Sequence, residues 1–334
     1  MSAVISSRLA YHWAGPVLKA RSGITHRRGL STVNQWATDV VGHKTVHHDI
    51  ITASPLRQLA ASIDTASTAA VQAPDAVVPP NWHLVYFANN TPETELSSDG
   101  YESTHAPPEP FVNRVWAGGE LEWQPTNPLR VGQGATLDVE CAQVDTKQSP
   151  QRGPIIFVNL HRTTRNDQGI SLVEKRSLAY MHPPSDGVAN KASGNQRIIP
   201  IKKAADFSQL IHPTEIMLFR FSALTFNSHR IHYDYPYATQ LEGHRGLLVH
   251  GPLTCTLLLN LARHQTRSHP DLSQQSAWPF RRFTYRAVSP LICGEPFTVN
   301  GRWTTANDGT PKACELWAAN SQGGLAMSGT LELV

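Results

Sequence analysis

The feature that most restricts how this chain can fold is a helix with no polar face. Residues 252–264 read P-L-T-C-T-L-L-L-N-L-A-R-H, and Leu253, Leu257, Leu258, Leu259, Leu261 and Ala262 fall on nearly every side of a 3.6-residue period. A helix that is apolar all round has to be enclosed. Pro252 suits the first helical turn, where its missing N–H costs nothing. Gly251 before it leaves backbone N–H groups exposed at the positive end of the helix dipole, a place suited to a developing oxyanion. A tight turn at Gly251 beside a core histidine, His250, accounts for the same residues equally well. Upstream, F-N-S-H-R-I-H-Y-D places Asn227, His229, His232 and Asp234 within eight positions. These groups suit acid/base work. Asp234 precedes Y-P-Y-A-T and reads as the N-cap of a short helix.

What encloses the helix is read from the remaining pattern. Ser54-Pro55 predicts a helix start, with Leu56, Leu59, Ala60 and Ile63 on one face. Pro79-Pro80 leads into W-H-L-V-Y-F-A, which predicts a strand. Residues 88–113 read as a long polar loop. Arg114 to Trp123 predicts a strand in which Gly118-Gly119 marks a bulge or a close backbone approach. Alternation over Thr136 to Val144, continued in Ile155 to Thr163 and Leu172 to Tyr180, predicts antiparallel strands. Ile216 to Thr225 predicts a further strand that delivers the chain to Asn227. The elements P-L-R-V-G at 128–132 and P-L-I-C-G at 290–294 each precede an alternating segment. Together with one long helix per half, 55–63 and 252–264, they predict two related α+β halves.

The chain has 334 residues with 40% hydrophobic and 16% charged side chains, room for two ordinary domains. The net charge of +3 misleads. Residues 1–32 hold Arg8, Lys19, Arg21, Arg27 and Arg28 and no acid; taking those five from 29 leaves 24 basic residues against 26 acidic ones. The basic excess belongs to a leader that reads as a mitochondrial transit peptide or a disordered tail, not to a nucleic-acid footprint. No apolar run is long enough for a membrane helix. Cys141, Cys255, Cys293 and Cys314 stand alone, which predicts buried free thiols. H-K-T-V-H-H at 43–48 lacks a second ligand cluster, so no metal is expected.

The joint pattern N-S-H-R-I-H-Y-D-Y-P-Y-A with L-V-H-G-P-L resembles the MaoC-like hotdog-fold thioester hydratases and dehydratases. Within that group it is most similar to hydroxyacyl-thioester dehydratase type 2 and mesaconyl-C4-CoA hydratase. P-P-N-W-H at 79–83 and R-V-W-A-G-G at 114–119 extend the resemblance into the first half. The resemblance implies a double hotdog, two antiparallel sheets each wrapped round a central helix. It divides the chain into a leader at 1–33, a non-catalytic hotdog at 34–184, a linker at 185–206 and a catalytic hotdog at 207–334. It implies reversible dehydration of a 3-hydroxyacyl thioester, as in mitochondrial fatty acid synthesis. His232 takes the catalytic histidine position, Gly251 the oxyanion N–H, and Asn227 stands where the wider group has Asp. A carboxamide cannot act as a base, though it can hold a water or a hydroxyl. His229, Arg230, His250, Trp116, Arg282 and Arg286 are the expected substrate-binding residues: His229 and Arg230 at the mouth, and Arg282 and Arg286 either facing the phosphates of a coenzyme A or acyl-carrier substrate or lying on a solvated strand face. The chemistry calls for no metal or redox cofactor. A homodimer is an open option, and neither nucleic acid nor membrane is an expected partner. A hydratase of branched dicarboxylic thioesters, a thioesterase and a silent thioester-binding protein are the alternatives, the last kept by Asn227.

Overall fold

The structure, a computed structural model, describes residues 25–63, 73–150, 152–183, 198–272, 278–307 and 309–334. Helix α1 (Thr25–Val40) buries Val33 and Val40 and leads into strand β1 (Lys44–Ile50) and helix α2 (Ala53–Ile63). Strands β2 (Asn113–Trp123), β3 (Gly134–Ser149), β4 (Gly153–Asn166) and β5 (Gly169–Met181) complete the first half. The second half repeats the series: β6 (Phe207–Ile211), α3 (Glu215–Leu224), α4 (Gly251–Ser268), then β7 (Phe280–Ala287), β8 (Phe297–Thr305), β9 (Pro311–Asn320) and β10 (Leu325–Leu333). Of the leader, residues 1–24 lie outside the described residues, and so does 184–197 of the linker region.

All ten strands form one sheet in the order β1-β3-β4-β5-β2-β7-β10-β9-β8-β6. Read inward from either edge the order is the same, with β2 matching β7 at the centre. The expectation of two sheets is therefore corrected: the halves share a continuous sheet through the antiparallel β2–β7 pair. The glycines make that junction. The ladder shifts register between Trp116 and Gly118. Gly118 has φ +153, and a Cβ on it would stand 2.5 Å from the Tyr285 carbonyl oxygen. Only a residue without a side chain lets the strands approach there.

The repeat is visible at the level of single hydrogen bonds. Val78 N donates to Leu129 O and Val249 N donates to Leu291 O, both at 2.9 Å. Val131 N donates to Ala76 O as Cys293 N donates to Leu247 O. These bonds align the two P-L-x-x-G elements residue for residue. They also set Pro79-Pro80-Asn81 of the first half against His250-Gly251-Pro252 of the second.

That alignment corrects three sequence expectations. First, Trp82–Val85 is not a strand but a single 3-10 turn entered from Asn81 at φ 68, with Trp82 N bonded to Pro79 O. Proline at both preceding positions favours a turn over a ladder that needs its N–H groups. Second, α2 is the counterpart of α3, which it packs against, and not of α4. The helix that would match α4 is reduced to that 3-10 turn. Third, residues 216–224 form helix α3. Thr214 caps it by accepting from Met217 N at 3.1 Å, and Leu218 and Phe221, three apart, are its buried residues. Residues 216–224, I-M-L-F-R-F-S-A-L, hold too many apolar side chains around Arg220 and Ser222 to fix one period; the cap decides it.

Helix α4 behaves as its composition requires: twelve of its residues, Leu253 through Arg263 and Thr266, are buried. Among the strands it packs chiefly against β6, β8 and β9. Helix α2 buries Leu56, Leu59 and Ala60 as expected, but starts at Ala53, ahead of Ser54-Pro55. The four cysteines are free.

Candidate active site

The loop from Asn227 to Asp234 is held on three sides. Asn227 Oδ1 accepts from His229 N at 3.0 Å, and Leu248 N donates to Ile231 O at 3.0 Å. The third anchor comes from the first half, where Arg230 N donates to Asp99 O at 2.8 Å and Ser228 Oγ donates to Gly100 O. These bonds fold Arg230–His232 into one 3-10 turn and bury the His232 ring.

His232 Nδ1 lies 2.8 Å from the Leu248 carbonyl oxygen. A carbonyl only accepts, so Nδ1 carries the proton and Nε2 keeps its lone pair. Burial lowers the His232 pKa to about 4, the bond to Leu248 O offsetting part of that fall. At neutral pH the ring is a neutral imidazole. His250 stacks on it with ring centroids 3.5 Å apart and a 20° tilt, and is itself placed by Ser222 Oγ at 2.8 Å. Burial holds His250 and His229 well below the usual histidine value.

His250 is followed directly by Gly251, the first residue of α4. A Cβ on Gly251 would come within 3.1 Å of Trp116 Cβ, so a side chain there would press on the β2 tryptophan. Trp116 is fixed by donating from Nε1 to Tyr285 OH at 2.9 Å. His232, Asn227, Gly251 and Trp116 all face one cavity of about 2630 Å³ between the halves. Its other wall includes Tyr101, Arg114, Arg162 and Arg176.

The remaining expected residues divide. His229 lines the cavity, with its Nε2 turned to Asp99 Oδ2 at 3.4 Å and Glu242 Oε1 at 4.0 Å. Arg230 lies at the mouth, bonded to Asp234 Oδ2 and stacked 4.3 Å from the Tyr237 ring. Asp234 also accepts from Tyr237 N at 3.0 Å, the capping role expected of it. That bond and the Arg230 pair lower its pKa. Arg286 is an exposed residue on the cavity rim. His250 sits behind His232 and does not line the cavity. Arg282 is a correction: it is bonded to Glu332 Oε1 at 2.7 Å on the exposed side of β7 and is not part of the cavity wall. Strand alternation sends Phe283 and Tyr285 inward and Arg282 outward.

Asp99, Glu174 and Arg176 were missed from the sequence. Asp99 looked like one acid in a polar loop. In the structure it accepts from Ser97 Oγ, Tyr101 N and Arg114 Nη2 and pins the loop beneath His229. Glu174 and Arg176 occupy inward positions of β5, where period-two alternation calls for apolar side chains, and that conflict was a readable signal. The His43–His48 run lies on edge strand β1, and among the described residues no group of His, Cys, Asp or Glu is placed to hold a metal ion. No described helix is long and apolar enough to cross a membrane.

Comparison with known proteins places this geometry. The family model for hydroxyacyl-thioester dehydratase type 2 matches residues 81–293. The chain belongs to the hydroxyacyl-thioester dehydratase type 2 family. It is 34% identical over 261 residues to a mesaconyl-C(4)-CoA hydratase from Chloroflexus aurantiacus, covering 78% of this chain and 85% of that protein. It is 27% identical over 284 residues to a mitochondrial hydroxyacyl-thioester dehydratase type 2 from Schizosaccharomyces pombe, covering 77% and 89%. Among solved structures, a MaoC-like dehydratase from Phytophthora capsici superposes with TM-score 0.60 at 13% identity, covering 90% of this chain and 98% of that one. A Mycobacterium tuberculosis protein described as a double hotdog superposes with TM-score 0.51 at 13% identity, covering 88% and 96%. The ten-stranded sheet of this family member is thus a double hotdog in which one half keeps the central helix and the other does not.

Proposed function

We propose that the protein catalyses the reversible dehydration of a 3-hydroxyacyl thioester to the trans-2-enoyl thioester. The observation that carries this reading is the pairing of a neutral imidazole with a helix start on one cavity wall. His232 presents Nε2, with Nδ1 committed to Leu248 O, and Gly251 opens α4 beside it.

The thioester carbonyl accepts from the Gly251 N–H, which stabilises the enolate formed when the α-proton leaves. His232 Nε2 takes that proton and becomes imidazolium. The hydroxyl on the β-carbon is held by the Asn227 side-chain amide. Asn227 Oδ1 is already occupied by His229 N, so the group it offers is the NH2 donor. The C–O bond breaks as the imidazolium returns the proton to the departing oxygen, releasing water. Hydration runs the same path backwards. One histidine carries both proton transfers, because Asn227 cannot accept a proton and Asp234 is committed to its cap and to Arg230.

Arg286 and Arg230 at the rim fit the phosphates of the carrier, coenzyme A or an acyl-carrier protein. The acid-free basic leader and the Schizosaccharomyces pombe relative, which is named mitochondrial, support a mitochondrial location. Incubation with crotonyl-CoA and with 3-hydroxybutyryl-CoA, followed through the enoyl absorbance, tests the reaction. His232→Ala is expected to abolish it. Wild-type turnover by that variant would refute the mechanism, and thiol release without an absorbance change would point to a thioesterase.

A further inference from the structure

We propose that the first-half wall of the cavity holds a carboxylate-binding subsite, formed by Arg162 and Arg176, that takes the distal end of a short dicarboxylic acyl group. The inference rests on the thioester reading above and narrows its substrate class.

In the second half the inner side of the sheet is covered by the apolar helix α4. In the first half the matching helix is a single 3-10 turn, and the inner face of the sheet carries buried charge. Arg114 stands on β2, Arg162 on β4, and Glu174 and Arg176 on β5. A long aliphatic chain laid on this face would strip water from those groups and give nothing back.

The charges do not balance. Asp99 neutralises Arg114 at 3.0 Å. Glu174 alone serves the other two, accepting from Arg176 Nε at 2.8 Å and Nη2 at 3.0 Å and from Arg162 Nε at 2.9 Å. Burial alone would raise the Glu174 pKa, but Arg176, Arg162 and His83 reverse this and hold it well below the carboxylate range. Burial keeps His83 below its ordinary value, so it stays neutral. One carboxylate thus faces two guanidinium groups. Nη1 of Arg176 and both Nη of Arg162 make no hydrogen bond to a described residue, and both arginines line the cavity. Buried cations call for a partner. A planar carboxylate matches the free edges of the two forks.

The distance to the reacting end is short. The Arg176 guanidinium lies 4.3 Å over the Trp116 ring, and Trp116 Cβ is what a side chain on Gly251 would touch. The cation therefore sits one indole away from the proposed carbonyl site. The other buried carboxylate, Glu242, lies at the His229 side with His244 at 3.3 Å and does not neutralise this pair. Arg176 is only 8% exposed, which suits an acyl terminus better than the carrier's phosphates.

The test uses pairs of thioesters that differ by carboxylate against methyl. Hydration of fumaryl-CoA is compared with that of crotonyl-CoA in wild type and in Arg162→Met and Arg176→Met. The fumaryl-to-crotonyl ratio of kcat/KM is expected to fall about tenfold or more in each variant, as loss of a charge-assisted hydrogen bond implies. Comparing the ratio between proteins cancels the difference in intrinsic reactivity. Binding of the unreactive pair succinyl-CoA and butyryl-CoA to wild type, read by tryptophan fluorescence, needs no variant to fold; succinyl-CoA is expected to bind about tenfold tighter. An unmoved ratio, or equal binding of the saturated pair, overturns the subsite. If neither enoyl thioester is hydrated, the proposed reaction fails instead, and the saturated pair still reads the subsite independently.

Discussion

The pH profile is the sharpest handle on His232. Its pKa of about 4 lies below the ordinary 6.5, chiefly because the ring is buried. Moving from pH 8 to pH 5 therefore leaves about 90% of the proposed base neutral, where an unperturbed histidine would keep about 3%. The folded state has a cost at the same time. Between pH 6.5 and 4 the unfolded chain binds the proton and the folded one does not. Stability is thus fully present above about pH 6.5 and is lost as pH falls towards 4. For His232 alone the loss at pH 5 is about 2 kcal/mol, and His229 and His250, shifted the same way, add to it. The assay measures kcat/KM for crotonyl-CoA hydration from pH 8 to 5 alongside urea unfolding at each pH. The expected result is a flat acid side down to pH 5 for the protein that remains folded, with a falling unfolding midpoint. A titration of kcat/KM centred near 6.5 in fully folded protein would refute the assignment of His232 as a desolvated neutral base.

Asn227→Asp would place a carboxylate beside the loop of His232 and is expected to raise the acid limb of the same profile; an unchanged limb would mean the side chain does not face the imidazole. Gly251→Ala sets a Cβ 3.1 Å from Trp116 Cβ, and overpacking there should cost about 1–3 kcal/mol by urea unfolding together with a fall in kcat. Thr214→Ala removes the cap of α3 and should cost about 1 kcal/mol without a change in kcat/KM. Glu174→Gln leaves Arg162 and Arg176 facing one another without their anion, and a loss of about 3–5 kcal/mol is expected in thermal or urea unfolding.

The sequence made the second half far easier to read than the first. The all-round apolarity of residues 252–264 demanded enclosure, and α4 is buried on every side. Period-two alternation found β3, β4 and β5 because each has one buried face. It failed at 216–224, where a mostly apolar stretch broken by Arg220 and Ser222 fits either period and the Thr214 cap went unnoticed. It failed again at Trp82–Val85, where aromatic composition outweighed two prolines that remove ladder donors. In the site, Gly251 drew attention through its place before a marked helix start, and His232 through the family resemblance of its motif. Asp99 and Arg176 were not, because their meaning comes from pairing with Arg114, His229 and Glu174 across the fold. The P-L-x-x-G repeat was found, but its two partner helices were mismatched, since length suggested a pairing that only hydrogen-bond register could correct.

That mismatch explains how the two halves divide their work. Both halves of a duplicated hotdog begin with a sheet able to wrap a helix. The second half fills its sheet with α4, whose start sets Gly251 next to His250, the ring stacked on His232. The first half fills the same position with one 3-10 turn, tied to α4 where Asn81 Nδ2 donates to Thr256 Oγ1 at 2.7 Å. What the first half gives up in helix it returns as space and as inward side chains from β2, β4 and β5. On the proposed reading, the chemistry of the reaction falls to one repeat and the choice of acyl group to the other. Substitutions on the inner face of β4 and β5 should therefore change which thioester is used, whereas substitutions at His232 should stop turnover of all of them. A variant at Arg162 or Arg176 that slowed every acyl thioester by the same factor would break this division.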